Sequence, residues 1–299
     1  MKTYILYHGN CPDGFGAATA AWLKLGDAAE YIPVNYGKPM PTMDDESKVF
    51  IVDFSYPRKQ LIELAVRMER TVVLDHHTTA QQDLDGLQLP GDESEIIFDM
   101  EKSGAVLAWE YFHGEDVPEF MLYLQDRDLW RFDLPLSREV SYALRSYPMV
   151  LPFWGDMVCH AGTIAELKRE GIVCVRLTNQ MVDAMTKHHR WAYLDPKART
   201  IRFTEKLEPG GAGDSMVPEH VKIIPVANAT VFFSEVGERL LEMYPAMDCA
   251  AYYSDRSDGK QQWGLRSRPS CDCSVIAKAF GGGGHKQASG FVFEVERHR

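Results

Sequence analysis

Short apolar runs alternate with a helical pattern over the first third of this chain. Four of these runs are rich in β-branched and aromatic residues, namely TYILYH, EYIPVNY, KVFIVDF and TVVLDHH. A helical pattern with apolar residues at 61, 62, 65, 66 and 68 separates the last two. Strands that alternate with helices predict βαβ units and a mostly parallel sheet with helices on both faces. We therefore assign the first part of the chain to the α/β class.

The remaining sequence predicts a second, smaller α/β domain that follows one long helix. A chain of 299 residues is long enough for two domains. Because helical spacing runs from about 162 to 192, we expect a first domain at 1–160, a connector helix at 161–193 and a second domain at 194–299. His188 and His189 fall within this predicted helix without nearby acids, and a solvent-exposed helix face explains them.

Composition and charge exclude several classes of protein. The 45% hydrophobic and 25% charged residues are typical of a globular protein, and no apolar run is long enough for a membrane helix. The N-terminus is too polar for a signal peptide and the six cysteines form no CxxC pair, so we expect free thiols in the cytoplasm. Residues 1–190 carry 18 basic and 29 acidic side chains, and the remainder carries 14 of each. Such an acidic first part argues against an extended duplex-binding surface.

Candidate metal ligands follow three of the predicted strands. They are His8 with Asp13 shortly after it, Asp53, and the consecutive Asp75, His76 and His77. A lone acid after a strand is usually a turn residue. Because the carboxyl ends of parallel strands meet at one edge of a sheet, however, we expect these three groups to converge. A further ligand is expected from Asp126 or Asp128 in LYLQDRDLW.

The mixture of carboxylates and imidazoles indicates the kind of cofactor. It suits Mn²⁺, with Mg²⁺, Fe²⁺ or Co²⁺ as alternatives. Carboxylates gathered in one place repel each other unless cations neutralise them. Two divalent ions held close together could activate a water molecule and hold a phosphate oxygen for in-line displacement. We therefore expect a site for two divalent metal ions.

These motifs resemble the DHH phosphoesterase superfamily. IVDF and VVLDHH, with an Asp-Gly pair after the first strand, match its catalytic domain, and AKAFGGGGHKQASGF matches the GGGGH motif of the associated DHHA1 domain. The resemblance implies that Asp53 bridges two metal ions, that His76 coordinates a metal ion and that Asp75 orients His76. His77 would contact the phosphate or protonate the leaving oxygen. The resemblance also favours Asp128 over Asp126, and it implies substrate contacts from Arg266, Ser267, Gly281, Gly282, Gly283, Gly284 and His285.

The first motif departs from the pattern of the superfamily. Relatives often carry an Asp-x-Asp pair, whereas this chain reads HGNCPDG, with Cys11 where the first Asp is expected. We expect His8 and Asp13 to be ligands. His8, Cys11 or a water molecule would complete one metal site, and a buried structural thiol is the simpler interpretation of Cys11.

The resemblance and the charge pattern together lead to one expected function. We expect an oligoribonuclease-like phosphodiesterase, dependent on Mn²⁺, that hydrolyses short oligonucleotides or linear dinucleotides to nucleoside 5′-monophosphates. Its partners would be short single-stranded RNA or DNA, with no extended duplex and no membrane, and the chain would be a monomer or a homodimer. Alternatives are a phosphatase acting on a small nucleotide such as 3′-phosphoadenosine 5′-phosphate, or a nucleotide-binding protein whose catalysis the Cys11 change has impaired.

Overall fold

The structure is a computed structural model that divides into two compact units, Met1–Val175 and Arg176–Arg299. The residues described are 2–35, 38–91, 93–204, 217–218, 220–284 and 286–294. Each unit has its own β-sheet and its own hydrophobic core.

Five strands form the sheet of the first unit, in the order β2-β1-β3-β4-β5, and every neighbouring pair is parallel. The strands are β1 (Thr3–His8), β2 (Glu30–Val34), β3 (Lys48–Val52), β4 (Arg70–Asp75) and β5 (Glu95–Phe98). The three central strands are almost entirely buried, which explains why their sequences are continuous apolar runs. β1, β3 and β4 are therefore neighbours whose carboxyl ends lie at one edge.

Helices cover both faces of this sheet. They are α1 (Pro12–Leu25), α2 (Arg58–Arg67), α3 (Thr78–Leu84), α4 (Gly104–His113), α5 (Glu119–Asp128), α6 (Ser137–Leu144), α7 (Leu151–Cys159) and α8 (Thr163–Thr186), with a 3₁₀ turn at Gly26–Ala28. Since successive side chains of a strand point to opposite faces, Ile5 packs against the core that contains α1 and α4, whereas Leu6 packs against the core that contains α2. The predicted α/β fold with helices on both faces is confirmed.

The second unit contains a seven-stranded sheet in the order β11-β12-β10-β9-β8-β6-β7. Its strands are β6 (Arg190–Asp195), β7 (Thr200–Thr204), β8 (Lys222–Asn228), β9 (Cys249–Asp255), β10 (Lys260–Ser267), β11 (Gly283–Gly284) and β12 (Ala288–Glu294), and its further helices are α9 (Phe233–Met243) and α10 (Cys273–Ala279). All pairs are antiparallel except β8 with β9, which α9 connects.

The long helix is shorter than the sequence predicts. α8 ends at Thr186 instead of near 192, and residues 190–195 form β6, which pairs with both β7 and β8. His188 and His189 consequently follow the helix. His188 is exposed as expected, but His189 is half-buried: its Nδ1 donates to the Thr186 carbonyl at 2.8 Å and its Nε2 accepts from the Tyr244 hydroxyl at 2.6 Å. Pairing with β7 across a short turn and with the more distant β8 decides the structure of this segment.

Two further expectations concern the cysteines and membranes. All six cysteines are free thiols. In the part of the chain that the structure describes, no helix combines the length and the apolar character needed to span a bilayer.

Gly171 lies in the middle of α8, although glycine disfavours helices, because the packing there leaves no space for a side chain. A Cβ at this position would collide with the backbone carbonyl of Glu139 in α6. We predict that Gly171→Ala lowers the free energy of unfolding by about 1–3 kcal/mol, because overpacking outweighs the better helix propensity of alanine. Chemical denaturation would measure this. Ile172→Ala, at the exposed neighbouring position, is the control and should change stability by less than about 0.5 kcal/mol. A Gly171→Ala protein as stable as the original would contradict this account of the packing.

Candidate metal centre

The predicted ligands of the first unit converge at the carboxyl edge of its sheet. β1 ends with His8, Asp53 follows β3, and His76 follows β4. The Nδ1 atom of His8 lies 3.4 Å from Asp53 Oδ2, and the Nε2 atom of His76 lies 3.1 Å from Asp53 Oδ1. Each oxygen of the Asp53 carboxylate therefore faces a different imidazole.

Asp53 adopts an unusual backbone conformation in a crowded environment. Its φ angle is 61°, in the left-handed region that few residues other than glycine adopt, and its N–H donates to the Leu74 carbonyl at 2.9 Å. The side chain is nearly inaccessible, and a Cβ on Gly104 would collide with it. Among the described residues, Asp53 Oδ2 has no hydrogen-bond partner. A buried carboxylate oxygen without a donor is the property expected of a metal ligand, because an isolated buried acceptor is costly.

Asp13 joins the centre from the first turn of α1. Its carboxylate accepts hydrogen bonds from the backbone N–H groups of Gly104 at 2.6 Å and Ala105 at 3.1 Å, at the N-terminus of α4. A helix N-terminus stabilises an anion in this position. Asp13 Oδ2 also lies 3.8 Å from His76 Nε2. The role of Gly104 was missed by the sequence analysis, although a Ser-Gly pair directly before an apolar helix is a signal of a helix start.

Asp75 is fully buried and organises the two histidines that follow it. Its Oδ1 accepts from the backbone N–H of His76 at 2.7 Å, the backbone N–H of His77 at 3.2 Å and the Nδ1 of His77 at 2.7 Å. The ring that Asp75 orients is therefore that of His77 and not that of His76, which corrects the expectation. Alternate side chains of an extended segment share a side, and this places Asp75 and His77 together. With Nδ1 donating to Asp75, Nε2 is the ring nitrogen of His77 that Asp75 does not engage.

Asp128 and Asp126 have different surroundings, although only one residue separates them. Asp128 Oδ2 lies 3.5 Å from His76 Nε2. Asp126 is buried, and its carboxylate accepts from the backbone N–H groups of Asp133 at 2.9 Å and Leu134 at 3.3 Å. Of the two acids, Asp128 is the one that the structure brings to the centre, and Asp126 holds the chain that follows α5.

Three overlapping sets of side chains in the described residues could hold a metal ion, each with ligand atoms within 4.8 Å of one another. They are His8 with Cys11 and Asp53, Asp53 with His76 and His77, and Asp13 with His76 and Asp128. The expected ligands His8, Asp13, Asp53, His76 and Asp128 all belong to these sets, and Cys11 joins them. Carboxylates and imidazoles in this arrangement suit divalent transition metals.

The concentrated charge perturbs several pKa values. Burial and the neighbouring Asp53 charge hold the pKa values of Asp13 and Asp128 above the ordinary range. Burial alone would raise the pKa of Asp53 as well, but the hydrogen bond from His76 and the close approach of the His8 imidazole hold it below its usual value. For His76, burial opposes the charged form, yet the hydrogen bond to Asp53 raises the pKa above its ordinary value. The cluster therefore holds extra protons when no cation neutralises it.

A cavity of about 440 Å³ adjoins the centre within the first unit. Asp13 and Asp128 form part of its wall, Phe120 and Trp154 supply apolar surface, and Arg145 supplies a positive charge. The volume lies in the range of small-molecule sites, which are largely apolar with a few polar groups. None of the three residues outside the metal ligands was identified from the sequence.

The second unit places some of the predicted substrate-binding residues in a separate cavity of about 300 Å³. Its lining includes Arg266, Gly283 and Gly284 together with the aromatic rings of Phe233 and Tyr252, which the sequence analysis missed. The guanidinium of Arg266 donates to the Ser234 hydroxyl at 2.8 Å and lies 5.5 Å from the centre of the Tyr252 ring.

The other predicted substrate-binding residues are placed differently. Ser267 is buried, and its hydroxyl donates to the carbonyl of Cys271 at 2.8 Å, so it holds the turn after β10. Gly281 and Gly282 form the turn that precedes β11. Gly281 has a φ of 85°, and a Cβ on Gly282 would collide with the carbonyl of Gly290. His285 lies outside the described residues.

The chain is compared with one sequence relative and two of the solved structures that it resembles. The uncharacterized protein R106 of Acanthamoeba polyphaga mimivirus is 31% identical over 309 aligned positions, which cover 97% of this chain and 67% of R106. The chain belongs to the same family as R106. No family model matches the sequence.

The solved structures bear on the fold. PggH from Vibrio cholerae, a pGpG-specific phosphodiesterase, aligns over 99% of this chain and 94% of its own with a TM-score of 0.51 and 13% identity. At this identity the likeness shows a shared fold alone. An uncharacterized Helicobacter pylori protein aligns over 100% of this chain and 94% of its own at 14% identity, but its TM-score of 0.40 supports no conclusion.

A matched pair of substitutions separates the roles of Asp126 and Asp128. Asp128→Asn removes a charge from the centre, so we predict that it weakens Mn²⁺ binding by about 10–100-fold, the size of effect seen for changes around metal ligands. Asp126→Asn should retain Mn²⁺ affinity but lower the free energy of unfolding by roughly 1 kcal/mol, because one accepted backbone hydrogen bond is lost. Isothermal titration calorimetry and urea denaturation would measure the two effects. The reverse pattern would assign the metal to Asp126.

The raised pKa values predict how the stability of the metal-free protein depends on pH. For Asp13, Asp128, His76 and His77, the folded pKa lies above the ordinary value, so the folded chain binds more protons than the unfolded chain. Each contributes stability that is present below its unfolded pKa and lost as the pH rises through its folded pKa. Asp53, whose pKa is lowered, acts oppositely, but only below the ordinary value of 3.8.

The free energy of unfolding of the metal-free protein should therefore fall as the pH rises above the ordinary pKa values of these groups, 3.8 for the acids and 6.5 for the imidazoles. Urea denaturation in the presence of a chelator would measure this slope. Because metal ligands bind in the deprotonated form, saturating Mn²⁺ should flatten or reverse it. Asp128→Asn, which removes one of the four groups, should show a shallower slope without metal. A metal-free slope that is the same in both proteins would contradict the role of this cluster.

Proposed function

We propose that this protein is a metal-dependent phosphodiesterase that hydrolyses short oligonucleotides or linear dinucleotides to nucleoside 5′-monophosphates. The observation that carries the proposal is the buried Asp53 carboxylate, whose two oxygens face two different imidazoles, His8 and His76. A carboxylate shared between two groups of ligands is suited to hold two metal ions side by side. This agrees with the resemblance of the sequence motifs to DHH phosphoesterases.

The chain's own residues fit two divalent ions, for which we propose Mn²⁺. His8 and Asp53 would hold one, and Asp13, His76, Asp128 and the other oxygen of Asp53 would hold the second. When bound, the ions would neutralise the carboxylates and the scissile phosphate and activate water for in-line attack. The unpaired Asp53 Oδ2 and the acids with raised pKa values support this assignment, since a cation would satisfy the first and release the protons of the second.

His77 is positioned to act on the proton of the leaving group. Its Nδ1 donates to the buried Asp75 carboxylate, and although burial opposes the charged form, this hydrogen bond raises the pKa of His77 above its ordinary value. The protonated ring can then donate from Nε2 to the 3′ oxygen as the bond between phosphorus and that oxygen breaks. The product that keeps the phosphate is a nucleoside 5′-monophosphate. Asp75 holds the ring in the required tautomer throughout.

Substrate length and class follow from charge, cavities and the shared fold. The acidic first part of the chain offers little basic surface for tracking a long strand. The second unit supplies Arg266 beside the rings of Phe233 and Tyr252, a combination suited to a phosphate and a stacked base. PggH, which shares the fold, is a phosphodiesterase specific for the linear dinucleotide pGpG. These observations support a substrate of one or a few nucleotide linkages.

The test is digestion of labelled RNA in the presence of Mn²⁺. Dinucleotides, pentanucleotides and strands of roughly twenty nucleotides would be compared, and phosphate release from small nucleotides would be measured in parallel. We expect the short substrates to be cut faster, with mononucleotides as products. Release of inorganic phosphate alone would instead indicate a small-nucleotide phosphatase. Binding of nucleotide without turnover, with any divalent metal, would indicate a binding protein.

Asp53→Asn is the variant that links activity to the centre. Asparagine tolerates the left-handed backbone of this position, so the fold should be retained while the shared carboxylate is lost. We predict loss of metal binding and a fall in the cleavage rate of at least about 10³-fold, with unchanged circular dichroism. Asp85→Asn, at an exposed position after α3, is the matched control and should leave the rate unchanged. Full activity of Asp53→Asn would contradict the two-metal assignment.

A further inference from the structure

Cys11 lies beside the metal centre and not in a hydrophobic core. It directly precedes α1, and its sulfur, a ring nitrogen of His8 and an oxygen of Asp53 lie within 4.8 Å of one another. Cys249 and Cys273, by contrast, are packed among the apolar residues of the second unit. Within the described residues, Cys11 belongs to none of the hydrophobic clusters. The surroundings of Cys11 therefore differ from those expected of a buried structural thiol.

The second observation is the orphaned oxygen of Asp53. Oδ2 is buried without a hydrogen-bond partner among the described residues, and it lies 3.4 Å from His8 Nδ1. That separation is about the distance between two ligands that bind one ion at roughly 2.0–2.2 Å each. The Asp53 carboxylate thus belongs to the same group of three as the Cys11 sulfur. A cation among the three would satisfy it.

Burial and the charges of Asp53, Asp13 and Asp128 raise the pKa of the Cys11 thiol, so the metal-free sulfur keeps its proton and a bound cation would have to displace it. Cys11 is the N-cap residue of α1, a helix of 14 residues, and its side chain makes no capping hydrogen bond there. Helix N-termini stabilise thiolates through the same dipoles that stabilise carboxylates. The first turn of α1 can approach the end of β1 closely because residue 14 is glycine. A Cβ there would collide with the His8 carbonyl.

We propose that Cys11 is a thiolate ligand of the metal position formed with His8 and Asp53, so that the two metal positions of this protein differ in chemical character. The proposal rests on the proposed two-metal function. One position would be oxygen-rich, with Asp13, Asp128 and His76, whereas the other would include one sulfur. On binding, a metal–sulfur bond forms and the thiol proton passes to solvent. The sulfur-containing position should prefer Fe²⁺, Co²⁺ or Zn²⁺ to Mg²⁺, because thiolates are soft ligands.

Loading of the full chain with Co²⁺ tests this ligand directly. Thiolate ligation of Co²⁺ produces a charge-transfer absorption in the near ultraviolet, which imidazole and carboxylate ligands do not produce. The metal-free protein would be titrated with Co²⁺ while absorption and the number of bound ions are measured. We expect the band in the original protein, its loss in Cys11→Ser, and its retention in Cys159→Ser, a matched control at an exposed thiol at the end of α7.

A second variant tests the preference for the metal. Cys11→Asp replaces the thiolate with a carboxylate, so it should still bind two ions but lack the band. Its Co²⁺ affinity relative to its Mn²⁺ affinity should fall by about tenfold or more, on the scale of changes around metal ligands.

The outcomes separate the two proposals. Two bound Co²⁺ ions without the band would overturn the thiolate ligand and leave the two-metal centre standing, as would a band that persists in Cys11→Ser. Failure of the original protein to bind Co²⁺ or Mn²⁺ at all would overturn the proposed function, and the thiolate ligand with it.

Discussion

Asp53 has a lowered pKa although its side chain is almost completely buried near two further acids, Asp13 and Asp128. A buried carboxylate costs several kcal/mol unless it is paired and hydrogen-bonded, and neighbouring carboxylates increase the cost. The imidazoles of His8 and His76 offset this cost, and each lies beside a different oxygen of the Asp53 carboxylate. Their positions in turn require β1 and β4 to flank β3, as the order of the sheet provides. The arrangement of the first unit around its carboxyl edge depends on this compensation.

The backbone adapts to the same charge. Asp53 takes a left-handed conformation, and glycines at 14 and 104 leave the space that its carboxylate and the neighbouring helix starts occupy. The first two N–H groups of α4 are directed at Asp13, so a helix N-terminus helps to stabilise this acid of the cluster in addition to the His76 imidazole 3.8 Å away. Strained backbone of this kind persists only where the surroundings enforce it, and it concentrates at functional sites. The features that disfavour folding are thus the ones that form the centre.

The sequence was sufficient to predict the parallel sheet and the convergence of His8, Asp53 and His76, because strand patterns are local and the edge shared by parallel strand ends is general. It did not distinguish Asp126 from Asp128. Two residues apart on a helix, they point about 200° away from each other, and only the packing of α5 decides which one faces the centre. The predicted helix extended to 193, over the first residues of the strand at 190–195, because helical spacing alone does not reveal the pairing of that strand with β7 across a short turn and with β8 farther along the chain. Phe233 and Arg145 were missed for a similar reason: nothing in their neighbouring sequence marks the cavities that they line.

The distribution of charge bears on substrate length under the proposed function. Residues 1–190 carry 18 basic and 29 acidic side chains. A long polyanion that approaches this part of the protein would therefore be repelled along most of the polyanion's length. Two divalent ions would make the electrostatic potential positive only close to the centre, and screening would confine their attraction for phosphate to about 8–10 Å at physiological salt. A dinucleotide can place its few phosphates within this distance. Each additional nucleotide of a longer strand would lie over the acidic surface with little compensating attraction. Selectivity for short substrates would then arise from electrostatics.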